Sequence, residues 1–164
     1  MENRICSGNI LYHKKWIVCG DSFTAGVSGN VFEEGPFKGE NKIYPYYNAD
    51  RALKVIDAIG SNNLRIIFDP VNLLYPGNID KKDEVFADTI EKLADRIAVV
   101  HLKDYVPEGN DLKSIAAGTG EMDYTRILKF MKERKPYIQA TLENTVNDNA
   151  VTSRKYLEEL YNNL

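Results

Sequence analysis

Residues 96–105 read RIAVVHLKDY. Ile97–Val100 is an apolar run with no polar alternation. Such a run marks a strand buried on both faces, in a parallel sheet covered by helices. The polar cluster His101, Lys103 and Asp104 begins where that strand would emerge at its C-terminal end. In parallel α/β folds this end carries the active site. The chain has 2 histidines, and one of them stands there.

Working outward from this strand, the pattern is regular from about residue 51. RALKVIDAI, residues 51–59, places Leu53, Ile56 and Ile59 at helical spacing, with Gly60 as a C-terminal stop. Leu64–Phe68 is a short apolar strand ending at Asp69-Pro70. Residues 81–94 form an amphipathic helix with Val85, Phe86, Ile90 and Leu93 on one face. After the 97–102 strand, a polar, Gly-containing loop over 106–121 leads to a helix over about 123–134. Its spaced apolar positions are Tyr124, Ile127, Leu128 and Met131, and Pro136 breaks it. Tyr137–Leu142 is the next strand and ends at Glu143-Asn144. A last helix spans 149–162, with Val151, Tyr156, Leu157 and Leu160 as its apolar positions.

The first fifty residues differ. Lys15–Cys19 is a short strand followed by Gly20-Asp21-Ser22, and a Gly-rich polar stretch runs to about residue 43. Tyr44-Pro45-Tyr46-Tyr47 can open the helix that continues through 59. The expected fold is therefore α/β: four βα units with a parallel sheet, half of an eight-stranded barrel or a small open sheet. Two segments, 1–50 and 51–164, form one folded unit, the first contributing one strand. A half barrel has two open sheet edges, and a homodimer would close eight strands.

Composition restricts the function classes. The chain has 164 residues, 43% hydrophobic and 27% charged, with net charge −3. That is one ordinary globular domain with a real core. No basic run interleaved with aromatics suggests nucleic acid, and no apolar run approaches the roughly 20 residues of a membrane span. The N-terminus has no apolar core of signal-peptide length. Cys6 and Cys19 do not form a CxxC pair and read as reduced thiols, so the expected location is cytoplasmic.

Three strands end in a residue able to bind a metal: Asp69, His101 and Glu143. The first strand ends near Asp21, a candidate fourth ligand. Parallel strands point their C-terminal ends the same way, so these groups converge on one face. Carboxylates plus one imidazole suit Mn²⁺, Mg²⁺ or Co²⁺, or Zn²⁺ in an opened site. Each residue also has a plainer reading. An Asp or Glu after a strand often caps a helix or orders a turn, and a lone His can be a satisfied core residue. Gly118-Thr119-Gly120 is a weak phosphate-loop signal, since two glycines in a loop are usually turn punctuation.

FDPVNLL, RIAVVHLKDY, AAGTGEMDY and TLENT, in this order, resemble the C-terminal half of a sugar phosphate isomerase/epimerase. Such proteins belong to the xylose-isomerase-like TIM-barrel superfamily. The resemblance covers about residues 51–160. It implies a divalent metal held by Asp69, His101 and Glu143, with a sugar or sugar phosphate as substrate. It places Glu143 and Lys103 in the catalytic machinery, and Asn72, Asp104 and Gly120 near the substrate. Asn72 stands where several relatives carry a substrate-contacting histidine. The family's metal-binding Glu on an earlier strand has no match, so epimerisation would lack a base on one face, and activity is open to loss by truncation.

KKWIVCGDSFTAG and EEGPFKGENKIYPYY, over about 14–47, resemble the opening of an SGNH (GDSL-type) hydrolase. That likeness makes Ser22 the match to a nucleophile. Such a serine needs a histidine base and oxyanion donors, and the chain has no Asp-x-x-His motif to supply the base. The two likenesses meet near residues 48–52, as in a chimera. A serine esterase and a non-catalytic scaffold are the rival readings to a metal-dependent sugar isomerase/epimerase.

Overall fold

The computed structural model describes residues 48–164 together with the backbone of Trp16–Cys19. Strand β1 is Trp16–Cys19, helix α1 is Ala49–Ile59 and strand β2 is Leu64–Phe68. Helix α2 is Lys82–Leu93, strand β3 is Ile97–Leu102, and strands β4 and β5 are Asp104–Glu108 and Asp111–Ile115. Helix α3 is Thr125–Arg134, strand β6 is Gln139–Leu142 and helix α4 is Asn147–Asn162.

Four strands form one parallel sheet in the order β1-β2-β3-β6. This is the α/β arrangement of a partial TIM barrel. β1 lies beside β2 with Trp16 opposite Leu64 and Cys19 opposite Ile67. The expected parallel neighbour is therefore in place.

Local chemistry sets the helix ends. The Asn48 side chain accepts a hydrogen bond from Arg51 N at 3.0 Å and caps α1; Tyr44–Tyr47, expected to open the helix, lie outside the described residues. Gly60 ends it at φ 62°, a left-handed conformation that favours glycine, and donates to Ile56 O. Helices α2 and α3 bury Phe86, Ile90, Ile127 and Leu128, as their spacing predicts. Phe130, on α3, stacks edge-on against Phe68 at 6.5 Å.

Three expectations are corrected. The stretch read as a loop contains the antiparallel hairpin β4–β5, turning at Gly109-Asn110 with Gly109 at φ 64°. A positive φ at the first turn residue is the type II′ geometry that a glycine permits. In α4 the buried residues are Ser153 and Leu157, while Val151 and Tyr156 are exposed. The helix presents a narrower apolar stripe than its spacing suggested. In α1, Ile59 is exposed, because the last turn runs past the edge of the core.

Burial separates these apolar positions energetically. Phe86→Ala should cost about 3–5 kcal/mol in urea denaturation. Val151→Ala should stay within about 0.5 kcal/mol. Equal losses would mean that α4 is packed through Val151 after all.

Candidate metal centre

Register alone brings the candidate ligands together. Phe68 pairs with Val100, so Asp69, one residue on, comes alongside His101. Leu142 pairs with Leu102, and Glu143 N donates to Leu102 O at 3.0 Å. Glu143 thus comes alongside Lys103. His101 and Lys103 are two residues apart, the spacing that puts side chains on one face of an extended chain. Leu102, between them, is buried in the core.

Asp69, His101 and Glu143 each offer a ligand atom within 4.8 Å of the others. His101 Nδ1 is 3.7 Å from Asp69 Oδ2 and 3.5 Å from Glu143 Oε2. Those spacings are too long for hydrogen bonds. They suit atoms sharing one ion, whose ligand bonds of about 2.0–2.6 Å allow separations up to about 5 Å. Asp69 Oδ2 and His101 Nδ1 are both buried and lack a hydrogen-bond partner. A buried polar atom without a partner is costly; Asp69 Oδ2 has only an ionic contact and His101 Nδ1 only the long approaches above, and an ion between them would satisfy both. The donor set of two carboxylates and one imidazole fits a divalent ion of the Mn²⁺, Mg²⁺, Co²⁺ or Zn²⁺ kind.

Lys103 stands among the same groups and is 5% exposed. Its ammonium donates to Glu143 Oε2 at 2.7 Å and to Asn72 Oδ1 at 2.8 Å. It also approaches Asp69 Oδ2 to 2.8 Å, off the direction a hydrogen bond needs, so that contact is ionic. Asp69 is steadied on its other side, where Oδ1 accepts from Asn72 N at 3.2 Å. Tyr124, expected only as a core residue, donates its hydroxyl to Lys103 O at 2.9 Å and fixes the backbone there. Nothing in helical spacing foretells that role.

The charges shape one another. Burial pushes the Asp69 carboxyl up, but His101 and Lys103 outweigh it and hold the group below the usual carboxylate range. Burial pushes Lys103 down, and Asp69 and Glu143 more than reverse that. The nearby Asp69 carboxylate is the main influence raising the His101 imidazole above its ordinary value. Burial, aided by the Asp104 charge, pushes the Tyr124 phenol up, so it stays a neutral donor.

Asp104 and Gly120, expected near the substrate, are packed against one another. Asp104 is 1% exposed. Its carboxylate accepts from the backbone N–H groups of Tyr105 at 2.9 Å, Gly118 at 3.0 Å and Met122 at 2.8 Å. It anchors the 116–122 loop. Gly120 lies so close that a Cβ there would collide with the Tyr105 carbonyl and the Asp104 carboxylate. Gly118, at φ 83°, lies under Tyr156, whose ring a Cβ would meet at 2.6 Å. These glycines allow close packing, and the phosphate-loop signal has this simpler cause. Asn72 serves Lys103 and the Asp69 turn. Asp21 and Ser22 lie outside the described residues, as does the rest of the hydrolase-like segment apart from the β1 backbone.

A family profile described as a xylose isomerase-like TIM barrel matches residues 38–160. The chain belongs to this family. The match crosses the junction read near residues 48–52 and takes in part of the hydrolase-like segment, so the hydrolase likeness gains no support from it. No curated protein sequence matches the chain. Among solved structures, a xylose isomerase domain protein from Planctomyces limnophilus is 22% identical with a TM-score of 0.52, over 69% of this chain and 41% of that one. A D-tagatose 3-epimerase-like protein is 22% identical with a TM-score of 0.56, over 72% and 42%. Mannonate dehydratase from Streptococcus suis serotype 2 is 12% identical with a TM-score of 0.53, over 77% and 39%. At such identities the likeness is one of fold. This xylose isomerase-like chain spans about two fifths of the length of those structures. Among its described residues, no helix is long and apolar enough to cross a membrane.

The loop-anchor role of Asp104 makes a clear expectation. Asp104→Ala strands two buried donors, Tyr105 N and Met122 N, and should cost on the order of 3 kcal/mol in urea denaturation. A loss under about 0.5 kcal/mol would return Asp104 to the surface-polar residues.

Proposed function

We propose that this chain carries the metal-binding half of a sugar isomerase or epimerase, acting on a small sugar or sugar phosphate. The observation that carries the reading is the convergence of Asp69, His101 and Glu143 within 4.8 Å, with two buried ligand atoms lacking hydrogen-bond partners. A divalent ion held by these three residues would polarise the carbonyl and hydroxyl oxygens of a bound sugar.

The protein's own groups then divide the remaining work. The Glu143 side chain is 34% exposed, against 2% for Asp69, so Glu143 is the carboxylate that substrate can reach. It serves as the base, taking the proton from the carbon bearing the hydroxyl next to the carbonyl. Returning that proton to the neighbouring carbon on the same face, while the hydroxyl proton passes to the former carbonyl oxygen, completes an aldose–ketose exchange. Epimerisation needs a second base on the opposite face, and the described residues of the site supply none. Before an ion is loaded, Lys103 is hydrogen-bonded to Glu143 and orients its carboxylate.

Calorimetric titration with Mn²⁺ tests the site, and deuterium uptake tests the chemistry. Wild type should bind about one ion, and His101→Ala should lose most of the heat. Incubated with Mn²⁺ and a panel of aldoses and ketoses in D₂O, wild type should place deuterium next to the carbonyl of at least one sugar. Glu143→Gln should abolish this. Equal heats from wild type and His101→Ala contradict the metal centre. Binding without any exchange contradicts the isomerase assignment alone.

A further inference from the structure

The Lys103 ammonium stands at the place a metal ion would claim. It touches Glu143 Oε2 at 2.7 Å and Asp69 Oδ2 at 2.8 Å, two of the three atoms that would bind the ion. The same nitrogen has a third partner outside the ligand set, Asn72 Oδ1 at 2.8 Å. Asn72 in turn is tied to Asp69 through its backbone N–H. The lysine is 5% exposed, so it does not sample solvent as a surface lysine does. Two carboxylates left together in such a place repel each other unless a cation sits between them.

We propose that Lys103 is a built-in counter-cation that holds the Asp69–Glu143 pair in the metal-free protein and competes with the divalent ion for it. This rests on the metal reading above. Loading the ion draws both carboxylates away from the ammonium, which keeps Asn72 as its partner. The released donor capacity of Lys103 then faces the sugar beside Glu143. Metal loading and the readiness of a cationic substrate contact are thus one event. No bond is made or broken; the exchange is of one cation for another on the same oxygens.

The competition has a measurable sign. A lysine that merely supports the fold, or that helps hold the ion, would weaken metal binding when removed. A competing cation does the reverse. One positive charge held near 4 Å from a dication opposes binding by enough to change affinity about tenfold or more, even with water-like screening. Lys103→Met keeps the side-chain length and removes the charge. By calorimetry it should bind Mn²⁺ at least about tenfold more tightly than wild type. Binding by Lys103→Met where wild type shows none supports the proposal equally.

Unchanged or weaker affinity in Lys103→Met, with wild type binding and His101→Ala not binding, overturns the competition and leaves the metal centre standing. Absence of binding in both wild type and Lys103→Met overturns both. A second measurement needs no variant. In ¹⁵N spectra of the metal-free protein, one buried lysine ammonium should exchange slowly enough to be seen. Titration with diamagnetic Zn²⁺ should shift it or broaden it away. An ammonium signal unchanged while Zn²⁺ binds would overturn the proposal even if Lys103→Met fails to fold.

Discussion

The site depends on the parallel register of β2, β3 and β6. Phe68 opposite Val100 and Leu142 opposite Leu102 leave Asp69 and Glu143 on either side of the His101–Lys103 pair. A one-residue slip of either outer strand would turn its acidic side chain to the other face. The pairing is held by a core on both sides of β3, where Ile97, Val100 and Leu102 are buried. Hydrophobic burial thus sets the position of the charges indirectly, by fixing which residues lie abreast.

Burying those charges has its own cost, since removing a carboxylate and an ammonium from water takes several kcal/mol per ion before any pairing. The cluster offsets this with short contacts: Lys103 reaches Asp69, Glu143 and Asn72 all within 2.8 Å. Further out, Tyr124 holds the Lys103 carbonyl, and Asp104 ties the 116–122 loop by three backbone donors. The residues RIAVVHLKDY therefore serve two ends. His101 and Lys103 face the charged cluster, and Asp104 stabilises the wall behind it. An ammonium, an imidazole and two carboxylates share this small space.

Much of this was legible in the sequence. The strands at Leu64–Phe68 and Ile97–Leu102 have the bounds that their apolar runs indicate, because buried parallel strands have no other pattern to follow. The convergence of Asp69, His101 and Glu143 followed from strand ends alone. The β4–β5 hairpin was missed, although Glu108-Gly109-Asn110-Asp111 carries a Gly-Asn turn between strand-like runs; Pro107 and the charges masked it. The loop-anchoring bonds of Asp104 were not legible, because the sequence does not say which way a loop folds back over a carboxylate. Tyr124 read as core because a hydroxyl's partner is set by tertiary packing. In α4 the spacing of Val151 and Tyr156 suggested burial. Its fully buried residues are Ser153 and Leu157, while Tyr156 meets Tyr124 and Gly118 from the surface and Leu160 is only partly buried.

The central claim is that one ion binds where Asp69, His101 and Glu143 meet. Pulsed electron paramagnetic resonance on the Mn²⁺-loaded protein tests it directly, because a coordinated imidazole nitrogen couples to the metal electrons. The chain has 2 histidines, so the signal can be assigned by replacing each in turn. The account predicts ¹⁴N modulation from one imidazole, lost in His101→Gln and kept in His13→Gln. Modulation from water protons alone, or a nitrogen signal that survives His101→Gln, would contradict it.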